Sequence, residues 1–457
     1  VYDVAIIGGG PGGYAAALYA HNFGLSVAVV ERAEVGGTCL HRGCIPAKAW
    51  LQTAEVFTEV SHADDFGVVV GKPGIDWSVA LARKNEVVDQ LHRGLTGLMR
   101  KRKVEVVVGT GRIVAPGTVE VIADDGSASR IEAAHTIVAT GSAPRTLPGY
   151  DIDGVHIVSS DEALDWSEKP ERVAVIGAGA IGAEFASFLT DLGSEVHLFE
   201  VVDQVIPGAE PRAARLLERA LTSRGVTVRT GVGVDPPKIT DSGVTVPFGD
   251  ESVEVDVVLV AVGRRPVTEG VGLEATRAQV DRGFIQVDAA TMQTAEPGLY
   301  AVGDVVAGTP QLAHAGFAEG IAAITHIATG RAAPVDYRAI PLVVYTNPEV
   351  ASVGLTEHQA KESGFEVEKH DHGIAGVGRA IIKGQTQGMV KIVAQKDGPI
   401  LGATVVGPAA GELIHELMYA VGWEALPSEA AAFIHAHPTL AEAVGETLLT
   451  ASGRSLH

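Results

Sequence analysis

The chain is poor in cysteine, in basic residues and in long apolar runs, and each shortage removes a class of function. Cys39 and Cys44 are the only cysteines among 457 residues. A structural zinc needs three or four soft ligands, which two thiols cannot supply. Lysine and arginine total 35 against 56 acidic residues, a formal charge of −21. A phosphate backbone or an acidic membrane surface would be repelled, so neither nucleic acid nor membrane is expected as a partner. Small anions stay admissible, because helix N-termini hold them locally. No apolar run reaches the roughly 20 residues of a membrane span. The longest, Val253 to Val262, is interrupted by acids and reads as a buried strand. With 46% hydrophobic residues the chain can bury several cores, and its length fits about three domains. The first strand opens at Val4, so no targeting peptide is expected ahead of it.

The two cysteines stand five positions apart in Gly36-Gly37-Thr38-Cys39-Leu40-His41-Arg42-Gly43-Cys44-Ile45-Pro46-Ala47-Lys48. Random placement would bring them so close about 2% of the time, so the spacing asks for a reason. A redox pair, a lone reactive thiol and two unrelated buried hydrophobes are the alternatives. The redox pair leads, because a purely structural disulfide closing so short a loop would add little to so large a core. Pro46 can start a helix that good helix formers carry on through Glu55, which places Cys44 near a helix N-terminus. The partial positive charge there favours a thiolate, the form that exchanges with disulfides.

Fifty-five glycines cluster at strand-to-helix turns. Val4 to Ile7 leads into Gly8-Gly9-Gly10-Pro11-Gly12-Gly13, an alanine-rich helix, and a second strand from Val27 that ends in Glu31. This is a complete βαβ dinucleotide fingerprint. Gly8 makes the turn, Gly10 lets the backbone approach a pyrophosphate, Gly13 permits close helix packing, and Glu31 can accept from ribose hydroxyls. The pattern returns 169 positions later as Gly177-Ala178-Gly179-Ala180-Ile181-Gly182 and a strand ending in Glu200. Two dinucleotide sites follow. Thr136 to Ala139 running into Thr140-Gly141-Ser142, and Val255 to Val262 running into Gly263, read as the closing strands of the two units.

Residues 78 to 103 have helical periodicity, and Val104 to Ile122 reads as short strands. Leu299 to Asp304, then Gln311-Leu312-Ala313-His314 and an alanine-rich helix, reads as a return to the first nucleotide domain. Beyond Pro334 and Pro341 a separate α+β domain is expected, strands to about 406 and helices after 409. It carries His435-Ala436-His437-Pro438-Thr439-Leu440-Ala441-Glu442. A histidine with a carboxylate nearby can move protons near neutral pH, although from these residues alone a structural histidine in a turn before a helix is the favoured reading. Two histidines could also point to a metal, but no matching cluster is visible in the sequence, and no metal site is expected.

These motifs resemble the flavin-dependent pyridine nucleotide disulfide oxidoreductases along essentially the whole chain. The resemblance rests on both fingerprints, GGTCxxxGCxPxK, Ala139-Thr140-Gly141-Ser142, Gly263-Arg264-Arg265-Pro266, Val302-Gly303-Asp304 and His437-Pro438-Thr439. It is strongest to the lipoamide-linked members. Gly182 and Glu200 favour NAD over NADP, since Glu200 would bond a 2′-hydroxyl and repel a 2′-phosphate. Leu440 follows His-Pro-Thr where glutathione-type members carry serine, and Ser452 to His457 hold no further cysteine pair.

The resemblance implies an α/β fold of two Rossmann-like dinucleotide-binding domains plus a C-terminal α+β dimerisation domain. Residues 1–143 and 263–337 would form the FAD domain, 144–262 the NAD domain and 338–457 the interface. FAD would be held by Gly8, Gly10, Gly13, Glu31, Thr38, Cys39, Gly111, Thr140, Gly141, Ser142, Asp304, Gln311, Leu312, Ala313 and His314, with Lys48 near its N5. NAD would be held by Gly177, Gly179, Ile181, Gly182, Glu184, Glu200, Val232 and Gly263, with Glu184 pairing Lys48. His437, oriented by Glu442, would take a thiol proton so that a dihydrolipoyl thiolate attacks Cys39 and Cys44 is left facing the flavin. The implied assembly is a homodimer in which His437 serves the partner's disulfide. The implied partner is a lipoyl-bearing carrier protein on another chain, in bacterial cytoplasm or mitochondrial matrix. The rival is an NAD(P)H-dependent reductase of another small disulfide, such as glutathione or mycothione disulfide. Ala47, Trp50, His41-Arg42 and Ala315 depart from the pattern and bear on potential and substrate access.

Overall fold

The computed structural model describes residues 1–240 and 243–456, so His457, the end of the C-terminal segment noted above, lies outside it. The chain divides into two compact units. The first contains residues 1–49, 78–145 and 264–335; the second contains 50–77, 146–263 and 336–457.

In the first unit, Tyr2–Ile7 lies between Val27–Glu31 and Ala128–Val138, parallel to both. Glu105–Val108 joins outside Val27–Glu31, and Leu299–Ala301 joins Ala128–Val138, again in parallel. The inner strands are continuous apolar runs because helices cover both faces of a parallel sheet. Val4, Ala5 and Ile6 are wholly buried, and each such valine or isoleucine contributes about 1.5–3 kcal/mol by leaving water. The long strand Ala128–Val138 also pairs antiparallel with Thr118–Ile122 through its first half, so one strand serves two ladders. Leu299–Ala301 arrives from far along the chain, as the Leu299 to Asp304 stretch led one to expect.

The second unit holds a parallel sheet in the order Thr227–Arg229, Glu195–Phe199, Arg172–Ile176, Val257–Val260, Ile157–Val158. An antiparallel meander from Lys238–Thr240 through Gly243–Phe248 to Glu251–Val255 accompanies it. The expected single strand across Val253 to Val262, and its shorter form from Val255, is therefore corrected: it breaks at Asp256. The Asp256 carboxylate accepts from the Arg172 backbone N–H at 2.8 Å and from its guanidinium at 2.7 Å. This anchors the corner where the chain leaves one sheet for the other. A five-stranded antiparallel sheet, ordered Leu342–Val344, Glu349–Gly354, Ile400–Gly407, Met389–Gln395, Val367–Gly373, forms the last part of this unit. The helices Ala410–Gly422 and Glu442–Ala451 pack on it through Ile414, Leu417, Val444 and Leu448. Among the described residues no helix is long and apolar enough to cross a membrane.

Candidate active site

The helix carrying the second cysteine runs Cys44–Ser61 and begins at Cys44 itself, two residues before the proline expected to start it. Pro46 is harmless there, because the first four N–H groups of a helix have no intrahelical acceptor. Cys39 sits on the short helix Gly37–His41 and is half-buried, while Cys44 is exposed. The two sulfurs share a hydrogen bond. That bond, then burial, pushes the Cys39 thiol far above its ordinary range, and the Lys48 ammonium works in the opposite direction. Proton sharing of this kind lets one thiolate form while the other sulfur stays protonated. Burial and the neighbouring thiols also push Tyr14 up to about 12. Sequence reading missed Tyr14, although it lies in the helix that the first glycine turn opens.

The two glycine turns repeat down to individual hydrogen bonds. Glu31 accepts from Gly9 N–H at 2.7 Å and Ala33 N–H at 2.9 Å; Glu200 accepts from Ala178 N–H at 2.8 Å and Val202 N–H at 3.1 Å. A Cβ on Gly13 would lie 1.9 Å from Gly8 O, and one on Gly182 1.8 Å from Gly177 O. Those glycines are demanded by helix-on-strand packing. Gly10 and Gly179 are different: a Cβ on Gly10 would meet only Gly37 Cα at 3.9 Å, and one on Gly179 nothing within 4 Å. Each is the N-cap of its helix, and neither helix has a side-chain cap. The protein's own packing does not ask for glycine there; an approaching pyrophosphate does, with uncapped N–H groups to receive it. The residues present thus fit two dinucleotides. Ile181 follows in the first turn of the second helix, and Val232 donates its N–H to Glu200 O at 2.9 Å. Gly263, in the left-handed region, lies in the loop after Val257–Val260.

Several expected cofactor residues bind one another. Ser142 donates to Asp304 Oδ2 at 2.5 Å and accepts from Arg264 Nε at 2.7 Å, while Thr140 donates to Val267 O at 2.5 Å. Gln311 Nε2 donates to Asp304 O at 3.3 Å, just ahead of the helix Ala313–Thr329, which Leu312 caps and His314 enters. Gly141 lies between Thr140 and Ser142 with φ +70°. The fully buried Glu319, another residue the sequence reading missed, accepts from Gly303 N–H and fixes the turn that presents Asp304. Gly111 lies on Thr110–Ala115, where a Cβ would press within 3.0 Å of Ile7 and 3.1 Å of Val30. Thr38, beside Cys39, accepts from Arg42 N–H through its carbonyl.

Glu184 is buried on the helix Ala180–Asp191 and accepts from Tyr345 N–H at 3.0 Å, a bond no sequence pattern announced. Trp50 is no obstacle at an entrance. It is fully buried, stacks 4.1 Å from Trp77 and donates to Leu164 O at 3.1 Å. Ala47 and Ala315 are buried too.

In the C-terminal part, His437 Nδ1 lies 2.7 Å from Glu442 Oε1, and Glu442 Oε2 accepts from Thr439 N–H at 2.9 Å. The bond from Thr439, then that from His437, lowers the Glu442 pKa and keeps the carboxylate charged. With Nδ1 committed to the carboxylate and 78% of the side chain exposed, Nε2 is the nitrogen presented for proton transfer. His435 turns elsewhere, to Glu416 at 3.0 Å. Phe433 and Ile434, 78% and 98% exposed, immediately precede this segment.

Known proteins resemble this chain over its whole length. Residues 2–320 match the family described as pyridine nucleotide-disulphide oxidoreductase, and residues 340–448 match that family's dimerisation domain. The chain is 40% identical to a dihydrolipoyl dehydrogenase of Bacillus subtilis, the match covering 100% of this chain and 99% of that protein. It is 39% identical to the mitochondrial dihydrolipoyl dehydrogenase of Pisum sativum, covering 100% and 92%. The crystal structure of LpdA from Mycobacterium tuberculosis superposes with a TM-score of 0.91 at 30% identity, over 98% of this chain and 99% of that one. Matched from its first nucleotide turn to its last helix, the chain belongs to the pyridine nucleotide-disulphide oxidoreductase family, with two Rossmann-like domains and a C-terminal dimerisation domain.

Proposed function

We propose that this chain oxidises the dihydrolipoyl group of a carrier protein and passes the electrons through FAD to NAD⁺, the activity of a dihydrolipoyl dehydrogenase. The reading is carried by the hydrogen-bonded Cys39–Cys44 pair at a helix start, in a chain alike over its whole length to proteins of that name. The rival reading, reduction of glutathione or mycothione disulfide, is not favoured, because full-length relatives of both bacterial and mitochondrial origin are dihydrolipoyl dehydrogenases.

His437 Nε2 accepts the proton of one dihydrolipoyl thiol, and Glu442 stabilises the imidazolium that results. In the oxidised form, where Cys39 and Cys44 are joined as a disulfide, the thiolate attacks Cys39 Sγ, breaking the S–S bond and leaving Cys44 as thiolate. The second substrate thiol then attacks its own sulfur in the mixed disulfide, so oxidised lipoyl leaves and Cys39 departs as the second thiol. When bound, FAD supplies the two-electron acceptor that reoxidises the pair and delivers hydride to NAD⁺. The first turn, with Gly8, Gly10, Gly13 and Glu31, holds FAD together with Thr38, Gly111, the 140–142 loop, Asp304 and residues 311–314. Lys48 would contribute to the FAD site, and Glu184 to the NAD site. The second turn, with Gly177, Gly179, Ile181, Gly182 and Glu200, holds NAD together with Val232 and Gly263. The buried carboxylate of Glu200 would repel the 2′-phosphate of NADP.

The exposed Phe433 and Ile434 beside His437 are apolar surface for a second subunit, and His437 serves the partner's disulfide. The lipoyl group arrives on a separate carrier protein of a 2-oxo acid dehydrogenase complex or glycine-cleavage system. Bacterial cytoplasm and mitochondrial matrix both suit that role.

The test is an anaerobic titration of the purified flavoprotein with one equivalent of NADH, followed by lipoamide and then by glutathione disulfide. A long-wavelength absorbance that forms with NADH and is discharged by lipoamide supports the assignment. Reoxidation by glutathione disulfide but not lipoamide would sink it.

A further inference from the structure

We propose that Glu34, His41 and His92 form a binding site for a divalent transition metal of the zinc class, one that shares His41 with the redox stretch and does not use its thiols. Each of the three side chains brings a ligand-capable atom within 4.8 Å of the other two. Glu34 precedes the helix Gly37–His41 and His41 ends it, while His92 comes from the long helix Trp77–Lys101. No sequence spacing joins His92 to the other two.

The carbonyl of Val35 prepares the imidazoles. His41 Nε2 lies 2.9 Å from Val35 O, and His92 Nδ1 lies 3.2 Å from the same oxygen. A carbonyl can only accept, so both of these nitrogens carry hydrogen. In a neutral ring the other nitrogen then keeps its lone pair, which leaves Nδ1 of His41 and Nε2 of His92 as ligands. A backbone carbonyl that receives the non-ligating N–H is the usual support of a metal-bound histidine, and here one carbonyl supports two. His41 Nδ1 lies 3.5 Å from Glu34 Oε2, a separation that one ion bonded to both atoms would bridge. The rings meet edge to face, 5.1 Å between centroids, and do not stack into an apolar cluster. Both histidines are half-buried and Glu34 is exposed. Two hydrogen-bonded imidazoles and one exposed carboxylate are therefore accessible to an ion arriving from solvent.

Two nitrogens and one carboxylate oxygen suit zinc, cobalt(II) or copper(II), and suit magnesium or calcium poorly. Three protein ligands leave a fourth position for water, which makes the ion exchangeable. A bound ion would tie the end of the helix bearing Cys39 to the helix bearing His92.

The experiment uses the flavoprotein in its disulfide form, stripped with chelator, so that Cys39 and Cys44 cannot ligate. Zinc is titrated calorimetrically, and cobalt(II) is followed by its visible d–d bands. The expected result is one ion per chain, with affinity at least tenfold weaker in Glu34→Gln and in His92→Gln. Glu34 is exposed, so its variant keeps the fold even should the other lose it. No binding below about 1 mM, or binding unchanged in Glu34→Gln and in a folded His92→Gln, would overturn the proposal.

Discussion

The two kinds of glycine in the second turn make opposite predictions. An alanine Cβ at position 182 would sit 1.8 Å from Gly177 O, where real Cβ contacts do not fall below 3.0 Å. The helix Ala180–Asp191 must therefore retreat from the strand Arg172–Ile176 by about 1.2 Å or more. Its inner face, including Ala183, Phe185, Ala186, Phe188 and Leu189, is at most 2% exposed, so the retreat opens a packed core. Overpacking of this kind costs about 1–3 kcal/mol, which for domains of this size lowers Tm by roughly 2–10 °C. At Gly179 nothing lies within 4 Å, and the backbone at φ −67°, ψ −172° accepts any L-residue. Gly179→Ala should leave Tm within about 1 °C. On the proposed NAD site its methyl would intrude on the pyrophosphate, however, and the loss of charge-assisted hydrogen bonds worth about 1.5–3 kcal/mol should weaken NADH binding roughly 10- to 150-fold. Calorimetric melting and NADH titration of the FAD-loaded variants separate the two effects. If Gly179→Ala melts low, or binds NADH within twofold of the parent, the division between packing glycine and ligand glycine is wrong.

Three further perturbations follow from individual contacts. Lys391 and Glu210 are each about 5% exposed and 2.7 Å apart, so Lys391→Ala strands a buried carboxylate and should cost about 3–5 kcal/mol in guanidinium unfolding. The pair Lys391→Met with Glu210→Leu should recover most of that loss; a single variant of parental stability would refute the account. Hydrogen bonds from Lys361 and then Lys391 hold Glu357 down at about 2, below its ordinary 4.5. Because the folded value is the lower one, its stabilisation is complete above about pH 4.5 and fades as pH falls towards 2. Glu357→Gln should flatten that acid limb of the stability profile, and an unchanged limb would assign acid sensitivity elsewhere. His437→Gln should lower turnover of dihydrolipoamide by about 10²–10⁴ while NADH-driven reduction of ferricyanide continues, since that route needs no thiol proton acceptor. A loss under fivefold in steady-state assay would remove His437 from the chemistry.

The residues whose work is local were legible from the chain alone. Gly8, Gly13, Gly177 and Gly182 serve turns in which strand, loop and helix are consecutive, so steric demand and sequence spacing are the same thing. Glu31 and Glu200 end strands that such units require, and their matched bonds to Gly9 and Ala178 repeat the offset of 169. Cys39, Cys44 and the His437–Glu442 pair are likewise short-range, five residues apart in each case. Tertiary structure decided the rest. The ties from Ser142 to Asp304 and Arg264 span 162 and 122 residues, and Tyr345 reaches Glu184 across 161. The break at Asp256 depends on Arg172, and His92 meets His41 because the carbonyl of Val35 lies between their rings. Periodicity states which face of a strand or helix is buried; it does not state which distant segment will be laid against that face, because that is settled by how whole elements pack.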